Sequence, residues 1–170
     1  MTNLSDIVVN IVALSGGSLT GRIRLQKIAY LLEQLGMGAG VEFSYHHYGP
    51  YSEPVTNAVA DAKFFDALLE KIEFRQSDGG PYSVFETKKS VDDIAKLGEM
   101  DVQDAKRYLD LLGPANSTVL ELAATIHWLR SFEKFADWKH EIEIRKPGKT
   151  KSGRLEKAVS LLGELGLAPN

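Results

Sequence analysis

Along most of the chain apolar residues recur at helical spacing. Behind Ser5-Asp6, residues Ile7, Val8, Ile11 and Val12 repeat at i, i+4, which predicts a short helix closed by Gly16-Gly17. Thr20 and Gly21 open a second helix. Its positions Ile23, Leu25, Ile28, Leu31, Leu32 and Leu35 share one face until Gly36-Met37-Gly38-Ala39-Gly40 ends it. The period then becomes that of a strand: Val41-Glu42-Phe43-Ser44-Tyr45 alternates apolar with polar and predicts an extended segment closed by Gly49-Pro50. Ser52, Glu53 and Pro54 make a helix start, because proline in the first turn forfeits no hydrogen bond. This helix is expected to reach about Ala62, with a second piece from Phe65 to Leu69.

Two more alternating runs, Lys71 to Arg75 and Tyr82 to Thr87, flank the turn residues Asp78-Gly79-Gly80-Pro81 and predict a β-hairpin over 71–87. Ser90 and Asp93 resemble a capping box that starts a helix to Leu97, broken by Gly98. Asp101 and Asp104 start another to Leu112, stopped by Gly113-Pro114. Asn116-Ser117-Thr118 and Glu121 cap a strongly apolar helix through Leu122, Ile126, Leu129 and Phe132, with Trp128 adding bulk. It is the expected central helix, sharing a core with Leu25, Ile28 and Leu32. Beyond Trp138 seven cations (Lys139, Arg145, Lys146, Lys149, Lys151, Arg154, Lys157) meet three carboxylates, Glu141, Glu143 and Glu156. Pro147-Gly148 and Ser152-Gly153 interrupt this basic stretch, and a last helix through Leu155, Val159, Leu162 and Leu165 ends at Gly166. The pattern predicts a mainly α domain with a small β-hairpin, of α+β class, winged-helix-like in the order of its first half. Residues 1–138 form the helical body, and 139–170 a basic segment and C-terminal helix packed on it.

Composition narrows the function. A chain of 170 residues, 44% hydrophobic and 25% charged, buries one core without staples. Its 20 Lys+Arg and 23 Asp+Glu leave a net charge of −3, too balanced for a surface built throughout for nucleic acid, although a local basic patch remains. The absence of cysteine excludes disulfides, thiolate metal sites and thiol catalysis. The start lacks a basic region, and the longest apolar run, Ile7 to Leu14, is interrupted by Asn10, so no signal peptide or membrane span is expected and the location is cytoplasmic.

Catalytic motifs fail on spacing. Adjacent His46 and His47 on an extended segment point to opposite faces, and His140-Glu141 meets Ile144 where a zinc helix needs its second histidine. All four histidines, His127 included, are read as polar surface or strand residues. Gly36-x-Gly38-x-Gly40 follows a helix where a dinucleotide loop follows a strand, and Gly16-Gly17-Ser18 lacks the P-loop lysine. No Gly-x-Ser-x-Gly elbow occurs. No enzyme, metal or cofactor is expected.

Two features stand out from a plain core. Arg22, Arg24 and Lys27 crowd the start of the second helix, where each exposed cation opposes the helix dipole by about 0.3–1 kcal/mol. Either an internal carboxylate or an acidic or phosphate-bearing partner offsets them. Tyr45-His46-His47-Tyr48-Gly49-Pro50-Tyr51-Ser52 gathers three tyrosines at a turn, which either seal the turn against the next helix or form an interface.

Leu25-Gln26-Lys27-Ile28-Ala29-Tyr30-Leu31-Leu32, then Phe43-Ser44-Tyr45 and Tyr48-Gly49-Pro50-Tyr51-Ser52, resemble the Panacea domain family of SocA-like antitoxins, closest to its uncharacterised YwgA-like relatives. Leu120 to Ile126 and Ala158 to Leu167 look like that group's C-terminal half, so the likeness spans most of the chain. The sequence departs from many members in placing His46, His47 and Tyr48 before the Gly-Pro pair, where they carry a tryptophan or an acidic residue. The resemblance implies a non-catalytic module that binds a protein partner, toxin-like or other, in a toxin–antitoxin, mobile-element or phage-defence setting. Its motif residues Gln26, Lys27, Tyr30, Tyr48, Gly49 and Pro50, together with Arg24 and Tyr51, are the expected partner-binding set. The alternative is a winged-helix-like regulator in which Arg145, Lys146, Lys149, Lys151 and Arg154 contact nucleic acid.

Overall fold

Helix α1 (Leu4–Leu14) begins behind Asn3, whose side chain accepts from the Ser5 backbone at 2.9 Å, so the cap lies ahead of the Ser5-Asp6 pair. The structure is a computed structural model that describes residues 3–169. Strand β1 (Ser18–Thr20) follows, then α2 (Arg22–Leu32), which runs into a π-helical turn over Glu33–Met37 that breaks at Gly36, φ +105°. Strands β2 (Ser44–His46) and β3 (Gly49–Tyr51) pair with each other, and Ser52 caps α3 (Glu53–Phe64). The long hairpin is β4 (Leu69–Phe74) and β5 (Pro81–Glu86). After a short ladder of β6 (Lys96–Leu97) and β7 (Met100–Asp101) come α4 (Val102–Leu112), α5 (Ser117–Ser131), α6 (Trp138–Arg145) and α7 (Arg154–Leu165).

The order of the first half is winged-helix-like. β1 lies antiparallel on β5, giving a three-stranded sheet in the order β1-β5-β4 on which α1 and α2 pack, with α3 against α1. Helix α5 is the centre of the molecule: Leu120, Leu122, Ala123, Ala124, Ile126 and Leu129 are all sealed from solvent, in one core with Leu25, Ile28 and Leu32 of α2. Leu161, Leu162 and Leu165 of α7 join the same core, so the C-terminal segment packs on the helical body.

Four local expectations are corrected. The extended run starts only at Ser44, because the Glu33 carboxylate accepts the backbone N–H groups of Ala39 and Val41, each at 2.9 Å, and holds that stretch in a loop. Gly49-Pro50 belongs to a strand, and the turn is His47-Tyr48. Phe65 to Leu69 is not helical: Ala67 and Leu68 bond back to the Ala62 carbonyl to end α3, and Leu69 enters β4. The helix expected from Ser90 to Leu97 is a single 3₁₀ turn, Val91–Asp93, before β6. There Glu99 donates to the Met37 carbonyl at 2.7 Å, and this tertiary bond fixes a tight turn at Gly98, φ +61°.

Candidate interaction site

The crowded cations of α2 are answered inside the molecule. Glu70 of β4, with its side chain 2% exposed, accepts from Arg22 at 2.7 and 2.9 Å and from Lys63 of α3 at 2.7 Å. Burial alone would raise the Glu70 carboxyl, but hydrogen bonds from Arg22, Lys63 and Ser83 outweigh it and hold it down to about 2. Arg24 donates to the carbonyls of Thr20, Gly113 and Ala115, tying α2 to the α4–α5 loop.

The Tyr48-Gly49-Pro50-Tyr51 hairpin is seated by buried polar groups. Gln26 makes a two-bond pair with the Ser52 backbone, donating to its carbonyl at 2.9 Å and accepting from its N–H at 2.8 Å. Lys27, only 1% exposed, donates to the Pro50 carbonyl at 2.7 Å. Lys146, 4% exposed, donates to the His47 carbonyl at 2.6 Å. The counter-charge is Glu121 on α5, itself buried, which pairs with Lys146 at 3.2 Å and Lys149 at 2.8 Å. Glu121 is therefore an interior ion-pair partner, and Asn116 alone caps α5. A carboxylate flanked by Leu120 and Leu122 in the apolar part of the helix was the sequence signal for it.

Burial pushes the Lys27 ammonium down to about 8, with Glu121 opposing the shift and Lys146 and Lys149 adding to it. Unfolded lysine titrates near about 10.4, so between about pH 8 and 10 the unfolded chain holds a proton that the folded chain has released, and stability rises with pH. Above about pH 10 the unfolded tyrosines ionise while burial holds the Tyr30 hydroxyl protonated, which reverses the trend. The urea midpoint is expected to climb between about pH 7.5 and 9.5, and Lys27→Met to flatten that climb. A wild-type midpoint that is level across the window contradicts this.

Around this seat lies an apolar cavity of about 300 Å³, lined by Ile23, Leu25, Val55, Val59 and Phe85, with Lys27 and Gly49 on its wall. His46, Tyr48, Tyr51 and the Arg22–Glu70–Lys63 cluster also border it. Tyr48 is 51% exposed, while Tyr51 is half-buried and bonds Thr56 Oγ1 at 2.7 Å.

Of the eight expected partner-binding residues, only Tyr48 and Tyr51 offer surface. Gln26, Lys27, Tyr30, Gly49 and Pro50 are buried, and Arg24 is half-buried with its guanidinium spent on carbonyls. Tyr30 lies across α5, its hydroxyl hydrogen-bonded to His127 Nδ1 at 2.7 Å. His127 is thus a half-buried structural residue and not a surface one, and burial lowers its pKa. Lys149 lies over the Tyr48 ring, 5.1 Å from its centroid. Sequence reasoning missed Arg22 as a rim residue, and Lys63, Glu70 and Ile23 as parts of the cavity.

The basic stretch is partly neutralised, with Arg145, Lys146 and Lys149 in ion pairs. Arg145 is held by Glu133 and Glu141 at 2.7 and 2.8 Å, Lys146 and Lys149 by Glu121, and Arg154 by the carbonyls of Gly148 and Lys149. Lys151 is the exposed member of the expected nucleic-acid set without such a partner. Among the described residues no group of three His, Asp or Glu side chains could hold a metal, and no helix is long and apolar enough to cross a membrane.

No family model matches the chain. It is similar to the uncharacterised protein YwgA of Bacillus subtilis, 28% identical over 153 residues that cover 88% of this chain and 89% of that protein. It is also similar to a DNA ADP-ribosyl glycohydrolase of Thermus aquaticus, 27% identical over 124 residues, 72% of this chain but only 34% of that protein.

Proposed function

We propose that the chain is a non-catalytic protein-binding module, akin to the SocA-like Panacea antitoxins and their YwgA-like relatives, that neutralises or adapts a partner protein. The observation that carries this reading is the apolar cavity bordered by the exposed Tyr48 and the half-exposed Tyr51, lying between the two segments that bear the Panacea-like motifs. An apolar side chain of the partner enters the cavity, and the tyrosines and Arg22 surround it. Anchors in pockets ringed by Tyr and Arg are where binding energy concentrates. The match to about a third of a longer protein supports a module that is joined to other parts in some relatives.

The test runs four variants in parallel against the product of the adjacent gene, measuring melting temperature and affinity together. Tyr48→Ala is expected to keep its melting temperature and lose about thirtyfold or more in affinity, the effect of losing a hot spot of about 2 kcal/mol. Tyr51→Ala should lose affinity with a small drop in melting temperature, since it gives up its bond to Thr56. Arg24→Ala and Lys27→Ala should lower the melting temperature, because Arg24 closes part-buried carbonyls of the α4–α5 loop and Lys27 a buried one in β3. If all four lose stability and none loses affinity beyond what unfolding explains, the surface is scaffold.

The second reading, a nucleic-acid-binding regulator, draws on the winged-helix-like β1-β5-β4 topology and on a relative whose name refers to DNA. The pairing of its cations argues against it, and no duplex binding tighter than about 10 micromolar at physiological salt is expected. Submicromolar, sequence-selective binding would reverse the order of the two readings.

A further inference from the structure

Strand β4 is the outer strand of the sheet, and among the described residues its far edge has no partner. Arg75 donates to the Gly80 carbonyl at 2.9 Å, which fixes the phase of the hairpin. By alternation Leu69, Lys71 and Glu73 turn their backbone groups toward β5, and Glu70, Ile72 and Phe74 turn theirs away from it. An edge of this kind is normally blunted by charged side chains, a proline, a bulge or a covering element. β4 has no proline or bulge: its register runs unbroken from Leu69↔Glu86 to Phe74↔Pro81, and Leu69, Ile72 and Phe74 are 53%, 54% and 66% exposed. Its charges are Glu70, Lys71 and Glu73, so self-pairing requires a register in which they do not repel.

We propose that β4 is a homodimer interface, pairing antiparallel with β4 of a second copy about a two-fold axis at Ile72. In that register Ile72 faces Ile72, and Glu70 faces Phe74 in both directions. All three outward-turned residues then form hydrogen-bonded pairs, and the two sheets join into one of six strands. Lys71 faces Glu73 of the other copy on both sides of the axis; within its own protomer Lys71 pairs with Glu86 at 3.0 Å and Glu73 accepts from the Tyr82 hydroxyl at 3.0 Å, both at exposed positions, so the contact across the junction extends these pairs. Registers centred on Lys71 or on Glu73 set like charges against each other, which is unfavourable for residues directly opposed. One centred on Glu70 opposes two carboxylates already held inside each protomer by Arg22 and Lys63. Among registers that pair at least three residues of β4, the charges therefore favour the one centred on Ile72. A symmetric interface requires such self-complementarity, and the five residues Glu70 to Phe74, centred on Ile72, supply it.

Sedimentation of the full chain tests the proposal. The wild type should form a concentration-dependent dimer at roughly 100 micromolar or below. Lys71→Glu and Glu73→Lys, each creating two like-charged pairs, should weaken it by about tenfold or more, and Lys71→Glu/Glu73→Lys together should restore it. Ile72→Pro removes the donors at the axis but no bond to β5, so it should give a monomer whose thermal melt shows it still folded. A wild type that stays monomeric at that concentration, or a dimer indifferent to the single charge reversals, overturns the proposal.

Discussion

Glu121→Ala is expected to destabilise the chain by about 3–5 kcal/mol in urea denaturation, the range seen when one partner of a buried ion pair is removed. The reason is an imbalance of charge around one carboxylate. Lys146 pairs with Glu121 from a buried position, Lys149 pairs with it from a half-buried one, and Lys27 lies near enough to feel its field. Without Glu121, two interior ammoniums keep only the carbonyls of Pro50 and His47, and a carbonyl does not neutralise a charge. Those carbonyls belong to the β2–β3 hairpin, so the loss loosens the very element that carries Tyr48. Glu121→Gln keeps the shape and an acceptor, and should cost less than the alanine while still exceeding 1 kcal/mol. Lys149→Ala, from a partly exposed position, should cost under about 1 kcal/mol. A loss below 1 kcal/mol for Glu121→Ala would show that the lysines neutralise or find water without strain.

The elements legible in the sequence are those long enough to repeat. Helices α2, α5 and α7 carry two or more turns of apolar period, and the β4–β5 hairpin carries two alternating runs around Asp78-Gly79-Gly80-Pro81. Strands β1, β3, β6 and β7 are two or three residues each, too short to display a period; β1 exists because distant β5 holds it, while β3 pairs with β2 and β6 with β7 in local hairpins. The excess of cations on α2 was visible, and an internal carboxylate was one of its two readings. Which carboxylate was not visible, because Glu70 reaches Arg22 only through the β1-β5-β4 pairing, 48 positions along the chain. The same holds for the candidate site. The Gln26, Lys27 and Tyr48-Gly49-Pro50-Tyr51 motifs fall around the cavity, but most of these residues build its wall from within, bonded to the backbone. The basic run after Trp138 read as a patch because the chain gives charges in order and hides their partners on α5 and in the Phe132–Trp138 turn.

Gly49→Ala should cost about 3 kcal/mol, more than most single-methyl additions. Gly49 sits at φ +92°, a conformation in which a side chain is strained by roughly 1–2 kcal/mol, and space is also lacking. A Cβ there meets Thr125 Oγ1 on α5, a fully buried hydroxyl that has no hydrogen-bond partner of its own. Forcing a methyl into such a contact adds overpacking of about 1–3 kcal/mol. Thr125→Ala removes the opposing oxygen and leaves the backbone as it was, so the two causes separate in a double-mutant cycle. Gly49→Ala/Thr125→Ala is expected to recover the overpacking share and keep the conformational one, a coupling of about 1–2 kcal/mol in urea denaturation. If the double variant is no better than the sum of the singles, strain at Gly49 is purely conformational. Should Gly49→Ala lose less than 1 kcal/mol, the hairpin does not press on α5 as closely as the structure has it. In the first outcome, Tyr48 next to the strained residue also shifts, and affinity for the partner should fall with Gly49→Ala even at temperatures where the variant is fully folded.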